Sequence, residues 1–139
     1  MIIRIKNIFL AGLLFATPVI TCAQNQVLIH SHNDYKQSVP FYQAYSQKVF
    51  SIEADVFATA NGDLLVGHDL EDLSSDATFR EMYVLPIVKL FQQNKGRAWK
   101  DSENRLQLMV ELKSPTEPTL TKVIEVLSQY PEVFDPVKN

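Results

Sequence analysis

An α/β fold assembled from parallel β/α units is what this sequence predicts, on three observations. Strand-like runs at residues 27–29, 50–57 and 106–112 each end on polar or charged side chains. The segments that follow them carry apolar residues at helical spacing. The resulting order of strand, helix, strand, hairpin, helix, strand, helix is that of successive β/α units, and no repeat, low-complexity stretch or linker marks a second domain.

Residues 27–29 form a short apolar run with β-branched ends, and His30-Ser31-His32-Asn33-Asp34 follows at once, which predicts a buried strand with polar side chains at its C-terminal end. Val39, Tyr42 and Tyr45, with Pro40 in the first turn, predict a helix over 39–48 with Ser38 as its N-cap. In the second strand Ile52, Ala54 and Val56 alternate with Glu53 and Asp55. Side chains two apart on a strand point the same way, so the two carboxylates share a face. Asn61-Gly62 signals a tight turn, and Leu64-Leu65-Val66 returns as a hairpin arm ending at Gly67-His68-Asp69. Residues 71–80 read as a solvated loop with a short helical turn. A helix follows over 82–93, with Pro86 in an early turn, and then a polar connection over 94–104. The third strand, 106–112, brings Glu111 and Lys113 to its end. Leu120, Val123, Ile124, Val126 and Leu127 then mark a helix that starts near Thr116 and stops before Pro131, beyond which a loop leads toward another strand.

The first residues bear on compartment. Arg4 and Lys6 precede an apolar run over 8–20, and Thr21-Cys22-Ala23 offers small residues for cleavage, so residues 1–23 read as a secretory signal peptide and the product as periplasmic or secreted. The run falls short of the about 20 apolar residues of a membrane span and contains Pro18, which disfavours an uncleaved anchor. Thr21 fits a lipoprotein site at Cys22 poorly. Cleavage removes Cys22, the single cysteine, and with it disulfide and thiol chemistry. The net charge is −3, and the leader carries two basic residues and no acidic one, so the remainder is more acidic still and does not suit nucleic acid.

Placement of the polar residues carries the chemistry. His30 and His32 follow strand one, Glu53 and Asp55 lie late in strand two, His68 follows the hairpin, and Glu111 and Lys113 close strand three. In parallel β/α folds the C-terminal strand ends share one rim, where active sites are built. A lone Glu or His is usually a solvated or packed residue. Recurrence at three consecutive strand ends, after apolar runs that give no reason for buried charge, favours a site. Glu53, Asp55 and Glu111 are hard oxygen donors suited to Mg²⁺ or Ca²⁺. Histidines beside such a cation supply a general acid and a general base for phosphodiester cleavage, and Lys113 could share the growing negative charge.

At the motifs HSHNDY (30–35), SIEADVFATANGDLLVGHD (51–69) and LMVELKS (108–114) the chain resembles the glycerophosphodiester phosphodiesterase and phospholipase-C-like phosphodiesterase superfamily, closest to its altered inheritance of mitochondria protein 6 type branch. The resemblance implies a partial TIM (β/α)8 barrel, with residues 24–139 as its N-terminal portion, since a closed barrel takes about 250 residues. It implies catalytic roles for His32, His68 and Lys113, and metal-ligand roles for Glu53, Asp55 and Glu111. The implied activity is that of a metal-dependent phosphoric diester hydrolase on a small glycerophosphodiester- or phospholipid-like substrate. The alternative is a catalytically inactive barrel fragment or a cation- or phosphate-binding module. Asn33 stands where the glycerophosphodiesterases carry arginine, which removes a phosphate-binding guanidinium. His30 is left to orient the metal ligands or, in a register shifted by two, to serve as the base.

Overall fold

The computed structural model describes residues 27–134. The proposed leader at 1–23 and the last five residues lie outside the described residues.

Its frame is a four-stranded sheet organised by β2 (Ser51–Ala58). One edge of β2 is shared: β1 (His30–Ser31) runs parallel to its first residues, and β3 (Leu64–Val66) runs antiparallel to its last. On the other edge β4 (Gln107–Leu112) lies parallel over Ser51 to Val56. The parallel strands therefore stand in sequence order, β1, β2, β4, and the hairpin arm β3 is an addition at the end of β2.

Every residue of β2 before Ala58 is buried, as expected of a strand covered on both faces. Ile52, Ala54 and Val56 join Phe41, Val84, Val88 and Val123 in the main core. Val88 lies on α2 (Leu85–Gln93), which continues a π-helical turn at Arg80–Val84, and Val123 lies on α3 (Thr116–Leu127). Pro86 falls where the π-helical turn passes into α2. The opposite face of β2 holds Glu53 and Asp55, so the alternation legible in the sequence separates the core from the polar face.

Three expectations need correction. Val27, Leu28 and Ile29 do not form a buried strand: their side chains are exposed and the strand is His30–Ser31 alone. The backbone still reaches the start of β2, with the Ile29 carbonyl accepting from the Phe50 and Ser51 N–H groups. The helix expected over 39–48 is the short α1 (Tyr42–Ser46). Phe41 precedes it at φ 61°, a left-handed value incompatible with helix, and the Ser38 hydroxyl donates to Gln43 Oε1 rather than capping. Finally, the segment after Tyr130 begins as a short helix, α4 (Pro131–Phe134), not a loop.

Candidate metal and acid/base site

Strand register assembles the three carboxylates. β2 and β4 pair Glu53 with Met109 and Asp55 with Glu111, so all three acids project from the same face of neighbouring strands. One oxygen from each of Glu53, Asp55 and Glu111 lies within 4.8 Å of the others. Glu53 and Asp55 are buried and Glu111 is exposed, which leaves one open side.

Burying two neighbouring carboxylates is costly unless each finds charge or donors. His30 Nε2 lies 2.8 Å from Glu53 Oε2. Asp55 Oδ2 is crowded: the Tyr35 hydroxyl donates to it at 2.8 Å, His68 Nδ1 stands at 3.1 Å, and Lys113 Nζ is 3.6 Å away. The Lys113 ammonium also reaches Glu111 Oε1 at 3.4 Å. Desolvation works against the charge on Lys113, but Glu111 and Asp55 together outweigh it and raise its pKa. In contrast, Asp55 Oδ1 is buried with no hydrogen-bond partner among the described residues. Buried polar atoms are rarely left so, and each asks for a cause. Three clustered carboxylates, one of which has a buried oxygen without a partner among the described residues, fit Mg²⁺ or Ca²⁺.

Local structure explains how each side chain arrives. The Gly67 N–H donates to the Asp55 carbonyl at 3.2 Å, carrying the hairpin back so that His68 meets the Asp55 side chain. The Lys113 N–H donates to the Val56 carbonyl at 2.9 Å and prolongs the β4 ladder by one residue. His30, which the sequence left without a settled role, makes the close contact to Glu53. His32 is 71% exposed with Nε2 3.8 Å from Glu53 Oε1, beyond hydrogen-bonding distance, so it stands at the open margin of the cluster. Asn33 adopts φ 49°, ψ 48°, a left-handed conformation that asparagine tolerates, and this turns the chain over the site.

Two residues escaped the sequence reading. Tyr35 meets Asp55 directly. Burial, followed by the hydrogen bond and charge of Asp55, raises the pKa of its phenol. Asp34 is fully buried below it and accepts from Ser31 Oγ at 2.8 Å, the Phe41 N–H at 2.6 Å and the Tyr83 hydroxyl at 3.1 Å. These bonds hold the HSHNDY turn onto the core. Neither residue type signals a site alone, but an Asn-Asp pair straight after a strand is a turn signal whose side chains bond locally.

The Tyr83 phenol is raised too, by burial first and then by the charge of Asp34. Below the ordinary tyrosine value of about 10 both folded and unfolded chains keep this proton, so its contribution is complete. Above that value the unfolded chain loses the proton first, and stability falls as pH rises. Urea unfolding at about pH 8 and about pH 11 should therefore show a lower midpoint at the higher pH, with a smaller drop in Tyr83→Phe; equal drops in the two proteins would remove Tyr83 as a source.

Comparison with known proteins gives this geometry a family. The profile of the AIM6-like phosphodiesterase domain matches residues 20–139. The chain belongs to the AIM6-like phosphodiesterase family. Similar members include altered inheritance of mitochondria protein 6 from Eremothecium gossypii, 37% identical over 97 residues, which are 62% of this chain and 25% of that protein. The protein of the same name from Kluyveromyces lactis is 31% identical over 110 residues, covering 62% of this chain and 26% of its own length. A homolog from Arthroderma benhamiae is 36% identical over 76 residues, 50% of this chain and 24% of that one. The chain thus spans about a quarter of the length of these AIM6-type relatives. No solved structure matches it significantly.

Proposed function

We propose that the chain is the cation-binding and acid/base part of a phosphoric diester hydrolase acting on a glycerophosphodiester- or phospholipid-like substrate. We place it on the first strands of a phospholipase-C-like (β/α)8 barrel. The observation that carries the reading is the meeting of Glu53, Asp55 and Glu111 oxygens within 4.8 Å, with Asp55 Oδ1 buried and unpartnered among the described residues. Parallel strands in sequence order, with the acids late in β2 and β4, support the barrel reading. The basic-then-apolar residues 1–23 support export to the periplasm or medium.

Glu53, Asp55 and Glu111 would hold the ion. A bound Mg²⁺ or Ca²⁺ supplies Lewis acidity toward a non-bridging phosphate oxygen. The chain's own groups supply the rest. His68 is fixed through Nδ1, so its Nε2 is the nitrogen available for proton transfer. His32, exposed at the margin, is the second imidazole within reach of a bound substrate. One imidazole takes the proton of the attacking hydroxyl as its oxygen bonds to phosphorus. The other protonates the departing alkoxide as the old P–O bond breaks. The attacking hydroxyl is that of water or of a neighbouring position on the substrate. Lys113 carries positive charge toward the phosphate. His30 holds Glu53 in orientation.

Calorimetric titration with Mg²⁺ and Ca²⁺, paired with an assay of alcohol release from a panel of phosphodiesters, tests the reading. Saturable binding of one cation and hydrolysis that stops with chelator are expected. Absence of binding, or hydrolysis indifferent to chelator, refutes it.

A further inference from the structure

We propose that Tyr35 is a positioning residue of this site: its hydroxyl commits its proton to Asp55 Oδ2, which leaves Oδ1 as the oxygen free for the cation and meets His68 Nδ1 as an acceptor, not a donor. The inference deepens the function proposed above and rests on it.

The Tyr35 oxygen sits among three groups, Asp55 Oδ2 at 2.8 Å, Asn33 Oδ1 at 2.9 Å and His68 Nδ1 at 3.4 Å. A hydroxyl has a single proton to give. An ionised carboxylate can only accept, and a bond to it is the stronger choice, so the proton goes to Asp55. His68 Nδ1 lies 3.1 Å from that same carboxylate oxygen. Two lone pairs would repel at this distance, so Nδ1 bears the hydrogen, shared between Asp55 Oδ2 and the nearby phenol oxygen. Asn33 then presents its amide N–H to the phenol, the orientation in which its oxygen and nitrogen exchange places, an assignment that such networks decide.

The consequence is a division of labour within one carboxylate. Oδ2 is committed to Tyr35 and His68, with the Lys113 ammonium nearby, while Oδ1 is left buried and without a hydrogen-bond partner among the described residues. His68 Nε2 is left with the lone pair, able to accept a proton. Tyr35 can hold this place because the turn Asp34–Lys36 is pinned by the buried Asp34.

Nitrogen NMR of isotope-labelled histidine, in mildly alkaline solution where imidazole is neutral, reads the tautomer without substrate or cation. His68 is expected as the Nδ1–H form in the wild-type chain and, because Asp55 Oδ2 still faces Nδ1, in Tyr35→Phe as well. His68 protonated on Nε2 in the wild-type chain overturns the proposal, since Nδ1 would then compete with Asp55 Oδ2 for the phenol proton. Tyr35→Phe is also expected to bind Mg²⁺ about 10- to 100-fold more weakly, and unaltered affinity would sever the phenol from the choice of Asp55 oxygen. Failure of the wild-type chain to bind any cation would instead strike the proposed function, leaving the tautomer result intact.

Discussion

Asp34→Ala is expected to destabilise the chain by about 3–5 kcal/mol, although Asp34 touches none of the three clustered carboxylates. Its side chain is fully buried and its two oxygens take donors from three parts of the chain: Ser31 at the end of β1, the Phe41 backbone before α1, and Tyr83 in the π-helical turn. Removing the carboxylate leaves the Phe41 N–H and the Tyr83 hydroxyl without that acceptor in the core, and each such orphan costs about 1–3 kcal/mol. Phe41 at φ 61° adds to the effect, because the 2.6 Å bond is what holds a strained backbone in place. Domains of this size hold only about 5–15 kcal/mol in total, so much of the margin would go. Urea unfolding followed by Trp99 fluorescence measures it, with Tyr83→Phe, which deletes one donor, as the milder control. A midpoint for Asp34→Ala equal to wild type would show that the turn is held by something else.

That side chain also marks where the sequence stopped being readable. The carboxylate cluster was legible because strand geometry has a period of two: Glu53 and Asp55 had to share a face, and a parallel neighbour had to bring Glu111 beside them. The helices at 85–93 and 116–127 were legible for the analogous reason at a period of 3.6. Apolar content alone, however, says nothing about where a strand sits in a sheet, and residues 27–29 were misread because burial depends on neighbours that a one-dimensional pattern does not contain. The expected length of α1 failed for a different reason. Asp34, seven residues earlier, captures the Phe41 N–H, and this local competition between side chain and backbone overrides helical periodicity. His30 and His32 are two apart and should share a face on a continuous strand, but β1 ends at Ser31 and the chain turns, so His30 meets Glu53 while His32 swings to the margin.

The site should show its function as an inverse relation between stability and cation response, and Asp55→Asn tests that most directly. Without cation, wild-type Asp55 keeps Oδ1 buried and unpaired among the described residues, in a carboxyl group that has an oxygen within 4.8 Å of oxygens of Glu53 and Glu111. An asparagine can place its amide N–H₂ there and donate to them, relieving an unsatisfied buried acceptor that costs about 1–3 kcal/mol, while its own oxygen still accepts from Tyr35 and His68. The loss of the pair with the partly exposed Lys113, 3.6 Å away, offsets little of this. In chelator, Asp55→Asn is therefore expected to melt no lower than wild type. With cation the order reverses. A ligand at about 100 times its dissociation constant stabilises the folded state by about 2.7 kcal/mol, which for a domain of about 100 residues raises Tm by roughly 10–20 °C. Wild type should show that rise with Mg²⁺ or Ca²⁺, and Asp55→Asn, whose amide donates where the ion needs an acceptor, should show none. A variant that keeps the wild-type shift would mean that the ion binds elsewhere. One that collapses in chelator would mean that Asp55 is held for the fold, whereas stability kept and response lost is the mark of a carboxylate retained at a cost to folding for the sake of what it binds.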